Sequence, residues 1–131
     1  MTTFPKTFRL RQTFDAAHIE DVPAEVHAQL ARLDLGKKIR HGQTVAITAG
    51  SRGIANVAAI TRAIVEHRKG LGAKPFIVPA MGSHGGGTAN GQRQLVESLG
   101  ITEQSVGCPI HSSTETVIVG SLGDCPLRPH W

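Results

Sequence analysis

The chain has 131 residues, of which 40% are hydrophobic and 18% charged, and its formal net charge is +4. This length fits one domain, and the balance of apolar and charged residues excludes wholesale disorder. No apolar run approaches the roughly 20 residues of a membrane-spanning helix, the N-terminus lacks the apolar core of a secretory signal, and two cysteines are too few for a disulfide framework. The sequence therefore predicts a cytoplasmic chain that does not contact a membrane.

The first predicted elements are a strand and a helix. Residues 6–14, KTFRLRQTF, alternate apolar and polar side chains, which predicts a half-buried strand. Residues 22–35 are predicted to form a helix, with Pro23 near its first position and Gly36 after it as the stop signal. Within them, apolar side chains recur at helical spacing: Val22, Val26, Leu30 and Leu33.

Two apolar runs, each followed by a helical pattern, form the centre of the chain. Residues 43–50 and 74–80 are short and continuously apolar, as expected for strands covered on both faces. The helix between them carries apolar residues at helical spacing and ends at Gly70 and Gly72: Ile54, Val57, Ile60, Ile64 and Val65. A further helix is predicted over 88–99. This order predicts that 45–48 and 76–78 are adjacent parallel strands joined by a right-handed crossover.

The remainder of the chain has a weaker pattern. Residues 116–119 are predicted to form a strand, the other residues after Gly100 to form loops, and Asp124 to lie in a turn. No repeat or linker is present. The predicted fold is a single three-layer α/β domain over 1–131, with a mostly parallel sheet and βαβ crossovers, preceded by the N-terminal strand and helix.

Two strand-to-helix turns stand where a parallel sheet binds ligands: TAGSRGI, residues 48–54, and PAMGSHGGGT, residues 79–88. Free backbone N–H groups at a helix start favour anions. Arg52 would supply a forked cation for a carboxylate or phosphate, and His84 a group that exchanges protons near neutral pH. Neither turn has a standard phosphate-binding spacing. On chemistry alone, a flexible turn and a ligand site remain open alternatives.

Other residues are given simpler interpretations. The basic residues are scattered except in GKKIRH, residues 36–41, and only 4% of residues are aromatic, so no nucleic-acid partner is predicted. Ser51 and Ser83 are interpreted as helix caps rather than nucleophiles, and Cys108 as a buried small hydrophobe. His111 is interpreted as a solvent-exposed loop residue, with a place in the ligand cleft as the less favoured alternative.

One stretch of the sequence resembles a known family. Residues 42–123, above all PFIVPAMGSHGGGTA followed by LGITE, resemble the N-terminal domain of the nickel-dependent lactate racemase family, in particular its uncharacterised relatives. The resemblance implies a racemase or epimerase of 2-hydroxy acids. Such enzymes use a nickel pincer nucleotide, tethered to a lysine, that accepts a hydride from the substrate α-carbon while histidines move the hydroxyl proton.

The resemblance also assigns roles to individual residues. His84 matches the proton-transferring His of the family, and Arg52 matches an Arg that contacts substrate. Four residues of the two turns are expected to contact the cofactor: Ser51, Gly85, Gly86 and Thr88. No metal ligand is assigned. Ala49 stands where the family has an Asp and Gly85 where the lactate racemase often has an Arg, so lactate itself is not specified as the substrate.

The second catalytic His, the tethering Lys and the nickel-ligand His of the family lie further along its sequence, together with a C-terminal domain that is not recognised here. We therefore expect the N-terminal part of a nickel-pincer racemase or epimerase, inactive alone. The main alternative is a non-enzymatic remnant, or a subunit that pairs with a separate C-terminal polypeptide, and that binds a nucleotide or small carboxylate. An unrelated enzyme acting on a phosphate-bearing ligand is the least favoured reading.

Overall fold

The computed structural model describes residues 7–15, 18–116 and 118–127. They form a mixed α/β structure whose elements are, in chain order, α1 (Val22–Ala31), β1 (Thr44–Ala49), α2 (Val57–Gly70), β2 (Lys74–Pro79), α3 (Ala89–Ser98), α4 (Glu103–Val106), β3 (Gly120–Leu122) and β4 (Cys125–Leu127). Short 3-10 turns lie at Leu35–Lys37 and His84–Gly87.

The centre of the fold is a parallel pair of strands. β1 and β2 pair in parallel with Ala46 opposite Phe76 and Thr48 opposite Val78, and α2 connects them. The predicted parallel pairing of 45–48 with 76–78 is thereby confirmed. A third segment extends the sheet on the far side of β2, because the Ile77 N–H donates to the Pro109 carbonyl at 2.9 Å and the His111 N–H donates to the Ile77 carbonyl at 2.9 Å.

The hydrophobic core joins β2 to the helices. Its five largest fully buried side chains come from α2, β2, α3, the segment after α3, and α4: Val65, Ile77, Val96, Ile101 and Val106. Cys108 is also buried, as predicted, and its burial raises the pKa of the thiol. Because these side chains belong to one core cluster, α2, α3 and α4 pack together against β2.

Residues at the helix starts explain where the helices begin. Asp21 accepts a hydrogen bond from the Ala24 N–H at 2.9 Å, and Pro23 stands in the first turn of α1 as predicted. At α4, Thr102 and Ser105 form a reciprocal capping box. α2 begins at Val57, three residues later than its apolar pattern suggested, and Ile54 lies outside it with 62% of its surface exposed.

Two expectations about strands are wrong. β1 is not covered on both faces, because Thr44, Ala46 and Thr48 are exposed on one of them. The part of the predicted N-terminal strand that the structure describes, residues 7–14, is not a strand; Lys6 lies outside the described residues. Phe8 and Leu10 are 83% and 74% exposed there. Alternation of side chains specifies a strand only when a neighbouring strand pairs with it, and this segment has none among the described residues.

The C-terminal expectations also need correction. The strand predicted at 116–119 lies later, as the antiparallel hairpin of β3 and β4, and Val117 lies outside the described residues. Asp124 is in the hairpin turn, as predicted. α4 and the segment that pairs with Ile77 were both expected to be loop. α1 ends at Ala31 instead of continuing to Gly36, which lies in the 3-10 turn. In the part of the chain described, no helix combines the length and apolar character needed to cross a bilayer.

Candidate functional site

The turns that follow β1 and β2 touch each other. Ser51 lies two residues after β1, and His84 lies five residues after β2. Although they are 33 residues apart in sequence, the Ser51 Oγ and the His84 Nδ1 share a hydrogen bond. Both residues stand at the carboxyl ends of parallel strands, where a sheet of this kind places its ligands. The interpretation of Ser51 as a helix cap is wrong, since α2 has Asn56 at its N-cap.

The glycines of the second turn give it an unusual backbone. Gly85, Gly86 and Gly87 have φ values of +64°, +70° and +65°, a region that other residues rarely adopt. A Cβ on Gly85 would lie 2.4 Å from the carbonyl carbon of Gly91, and one on Gly91 would lie 1.9 Å from the Gly85 oxygen. Close contact with the first turn of α3 therefore requires glycine at 85 and 91, whereas Gly86 faces open space.

Thr88 fastens the same turn to α3. Its Oγ1 accepts a hydrogen bond from the Gly91 N–H at 3.1 Å and donates one to the Gly85 carbonyl at 3.2 Å. This is the N-cap arrangement that satisfies a free donor at the helix start. Of the four residues expected to contact a cofactor, Gly85 and Thr88 thus have roles in the fold. Ser51 is half-buried and contacts His84, and Gly86 is exposed. Their contact with a cofactor stays a prediction.

Arg52 and His84 are both solvent-exposed. Among the described residues, Arg52 has no hydrogen-bonded or ion-paired partner, so its guanidinium charge is not neutralised within this part of the chain. His84 uses Nδ1 for the contact with Ser51, and its Nε2 has no partner among the described residues. The arrangement offers an unpaired cation and a free imidazole nitrogen beside a glycine-rich turn, which is suited to binding an anion and exchanging a proton with it.

Two cavities open near this end of the sheet. The smaller, of about 520 Å³, lies against the glycine-rich turn at Gly82 and Gly87. Gln92 also lines it and donates a hydrogen bond to the Gly82 carbonyl at 2.6 Å. The larger, of about 890 Å³, lies over Phe76 and is lined by residues of α3 and of the segment after Ile110. Neither Arg52 nor His84 lines either cavity, so His84 stands beside the smaller cavity and not inside it.

Sequence reasoning missed the place of His111. It is exposed, as expected, but it lines the larger cavity and its ring lies against Phe76 with centroids 4.8 Å apart. A usable signal was present: Val106, Cys108 and Ile110 alternate with exposed residues and are all buried, a period of two that is typical of a strand.

A charged network supports this third segment of the sheet. Arg93 of α3 pairs with Glu97 at 2.9 Å and with Glu103 at 3.0 Å, and Glu103 also accepts the Ile110 N–H at 3.1 Å. The hydrogen bond from Ile110 and then the Arg93 guanidinium lower the pKa of Glu103, and the two carboxylates raise the pKa of Arg93. The charge of Arg93 is therefore neutralised within the fold.

The described residues contain no cluster of metal-ligating side chains. Within residues 7–15, 18–116 and 118–127, no three His, Cys, Asp or Glu side chains are grouped so that they could hold a metal ion. Comparison of the chain with protein-family models, curated proteins and solved structures found no match.

Proposed function

We propose that this chain binds a small carboxylate at the carboxyl ends of β1 and β2 and acts as the N-terminal part of a 2-hydroxy acid racemase or epimerase. The contact between Ser51 and His84 carries the proposal, because it brings the two strand-end turns together. The resemblance of residues 42–123 to the nickel-dependent lactate racemase family supports the same reaction class. The unpaired Arg52 supports a negatively charged ligand.

Each residue of the site has a distinct role in this proposal. Arg52 holds the substrate carboxylate through its forked donors. His84 exchanges the proton of the 2-hydroxyl group through Nε2, and Ser51 fixes the imidazole by occupying Nδ1. The N–H groups of the glycine-rich turn add partial positive charge near the ligand.

The proposed share of this chain in the reaction is limited to carboxylate binding and proton transfer. A nickel pincer nucleotide, when bound, would supply the hydride acceptor. We propose that a separate C-terminal polypeptide is the partner that supplies the nickel ligand and the tethering lysine.

A second candidate is a non-enzymatic domain that binds a nucleotide or small carboxylate at the same place. The exposed guanidinium of Arg52 and the glycine-rich turn would serve such binding without a catalytic step. For either candidate we propose a single domain over 1–131 with helices on both faces of a mostly parallel sheet, which the connection of β1 to β2 through α2 supports. We further propose a cytoplasmic location and no nucleic-acid or membrane partner.

Calorimetric titration tests carboxylate binding. Lactate should bind the full chain saturably, and lactamide, which lacks the negative charge, should bind at least about tenfold more weakly because Arg52 has no anion to pair with. Arg52→Gln should weaken lactate binding by a similar factor, and the exposed Arg11→Gln should leave it unchanged. Equal affinities for lactate and lactamide would contradict the proposal.

A further inference from the structure

The larger cavity is a feature of the molecule that the proposed function does not use. Its volume of about 890 Å³ is in the range of sites for small organic molecules, and neither Arg52 nor His84 lines it. Its lining residues come from β2, from the first half of α3 and from the segment that follows α4. A ligand in this space would therefore contact different side chains from a carboxylate at the strand-end turns.

The floor of the larger cavity is apolar. Phe76 and Val78 lie two residues apart on β2, so their side chains project from the same face of the sheet. Phe76 is only half-buried, and the His111 ring lies against it with centroids 4.8 Å apart and an angle of 32° between the ring planes. An aromatic ring or a short alkyl chain would find ring faces and methyl groups here.

The charges around the cavity favour a cation. Glu115 lines the cavity and is exposed, and its carboxylate has no hydrogen-bonded or ion-paired partner among the described residues. Arg93, the cation of the wall, is already paired with the carboxylates of Glu97 and Glu103. Three carboxylates and one guanidinium leave a formal charge of −2 here, in a chain whose formal net charge is +4. A positively charged ligand would therefore be attracted to this cavity, and a carboxylate would be repelled.

Hydrogen bonds hold the wall that contains His111 and Glu115. The His111 N–H donates to the Ile77 carbonyl at 2.9 Å. The Ser112 hydroxyl donates to a carbonyl in the first turn of α3 at 2.6 Å, and the Glu115 N–H donates to the Ser113 hydroxyl at 3.0 Å. Because this wall is already bonded to the sheet and to α3, a ligand would have little of it left to order.

We propose that the cavity over Phe76 and Val78 binds an organic amine in its ammonium form, with an aromatic or short aliphatic body. The apolar body lies over Phe76 and beside His111, and the ammonium group lies at the Glu115 carboxylate. This site is separate from the proposed carboxylate site, so either of the two can be present without the other.

Calorimetric titration with phenethylamine tests the charge that the site recognises. Phenethylamine, an ammonium ion at neutral pH, should bind the full chain saturably. Phenethyl alcohol, which has the same ring and no charge, should bind about three- to fivefold more weakly, since an exposed ion pair contributes modestly. Glu115→Gln should remove this difference. Glu20→Gln, which changes the net charge equally at an exposed position outside the cavity, is the matched control and should keep it.

A second pair of variants tests the place of binding. Asn90→Trp puts a large side chain at the cavity wall from the exposed first turn of α3 and should weaken phenethylamine binding about tenfold or more. Gln94→Trp, one turn later on α3, exposed and outside the cavity, should leave it unchanged. Lactate binding, measured on the same variants, should not change in either.

Each contrary outcome overturns the proposal. Equal affinity for phenethylamine and phenethyl alcohol would show that no cation is recognised. Equal effects of Glu115→Gln and Glu20→Gln would show that the amine responds to net charge alone, and full binding by Asn90→Trp would place the amine elsewhere. Absence of saturable phenethylamine binding also overturns the proposal, whereas the carboxylate site is judged separately by the lactate titration.

Discussion

Gly85 and Gly86 share a backbone conformation but differ in their surroundings. Their φ values are +64° and +70°, yet a Cβ at 85 would meet the backbone of α3 at 2.4 Å, whereas one at 86 would meet nothing within 4 Å. Gly86→Ala should cost about 1–2 kcal/mol of unfolding free energy through the left-handed conformation alone. Gly85→Ala should cost about 1–3 kcal/mol more, because backbone must also shift. Urea unfolding of both variants checks this, and equal losses would contradict the close packing of the turn.

His67 gives the fold a dependence on pH. Its burial against α1, the charge of Arg68, and His27, whose ring lies 5.7 Å away, lower the pKa of His67 from its ordinary 6.5. The unfolded chain therefore binds this proton more readily than the folded chain, and the unfolding free energy should fall as the pH drops below 6.5. His67→Gln should reduce that fall, as measured by urea unfolding on both sides of pH 6.5. The unfolding free energy of the exposed control variant, His18→Gln, should fall with pH as that of the wild type does. A His67→Gln variant with the wild-type pH dependence would contradict this account.

At the scale of elements, α3 depends on its cap. Thr88→Ala removes the acceptor of the Gly91 N–H and should cost about 1 kcal/mol of stability. Thr88→Ser keeps the hydroxyl and should recover most of that loss. Thermal unfolding of the two variants distinguishes them, and an equal loss in both would show that the methyl group of Thr88, and not its hydrogen bond, stabilises the turn.

The elements that the sequence predicts well are those whose signal is local. The apolar runs of β1 and β2 and the helical spacing of α2 and α3 need no knowledge of distant residues. The exposed face of β1 and the unpaired segment at residues 7–14 depend on which other parts of the chain pack against them, so pattern alone misjudged both. α4 is a single turn, too short for periodicity to reveal.

The candidate site, like the fold, has a part that the sequence predicts and a part that it does not. Alternating strands and helices place the turns after β1 and β2 at one edge of the sheet, and this much follows from the sequence. The contact of Ser51 with His84 depends on the lateral distance between the turns, and the cavity beside His111 depends on a segment that appeared to be loop. Both arise only from tertiary packing.

For the whole molecule, we expect that residues 1–131 alone do not racemise a 2-hydroxy acid, even with a nickel pincer nucleotide supplied. Racemisation needs proton transfer and a positioned hydride acceptor for both enantiomers. In the proposed site His84 would serve one substrate face, and no lysine follows Lys74 in this sequence to tether the nucleotide. A polarimetric assay with each enantiomer of lactate, run beside an active racemase that validates the cofactor, tests this. Measurable racemisation would contradict the limited role assigned to this chain.

The central claim is that a small carboxylate binds where the turns after β1 and β2 meet. Mapping of backbone amide chemical shifts during titration with lactate tests it most directly. The account predicts saturable shifts that are largest in residues 50–53 and 82–87. Shifts concentrated in the basic residues 36–41, or no saturable shift in either turn, would contradict it.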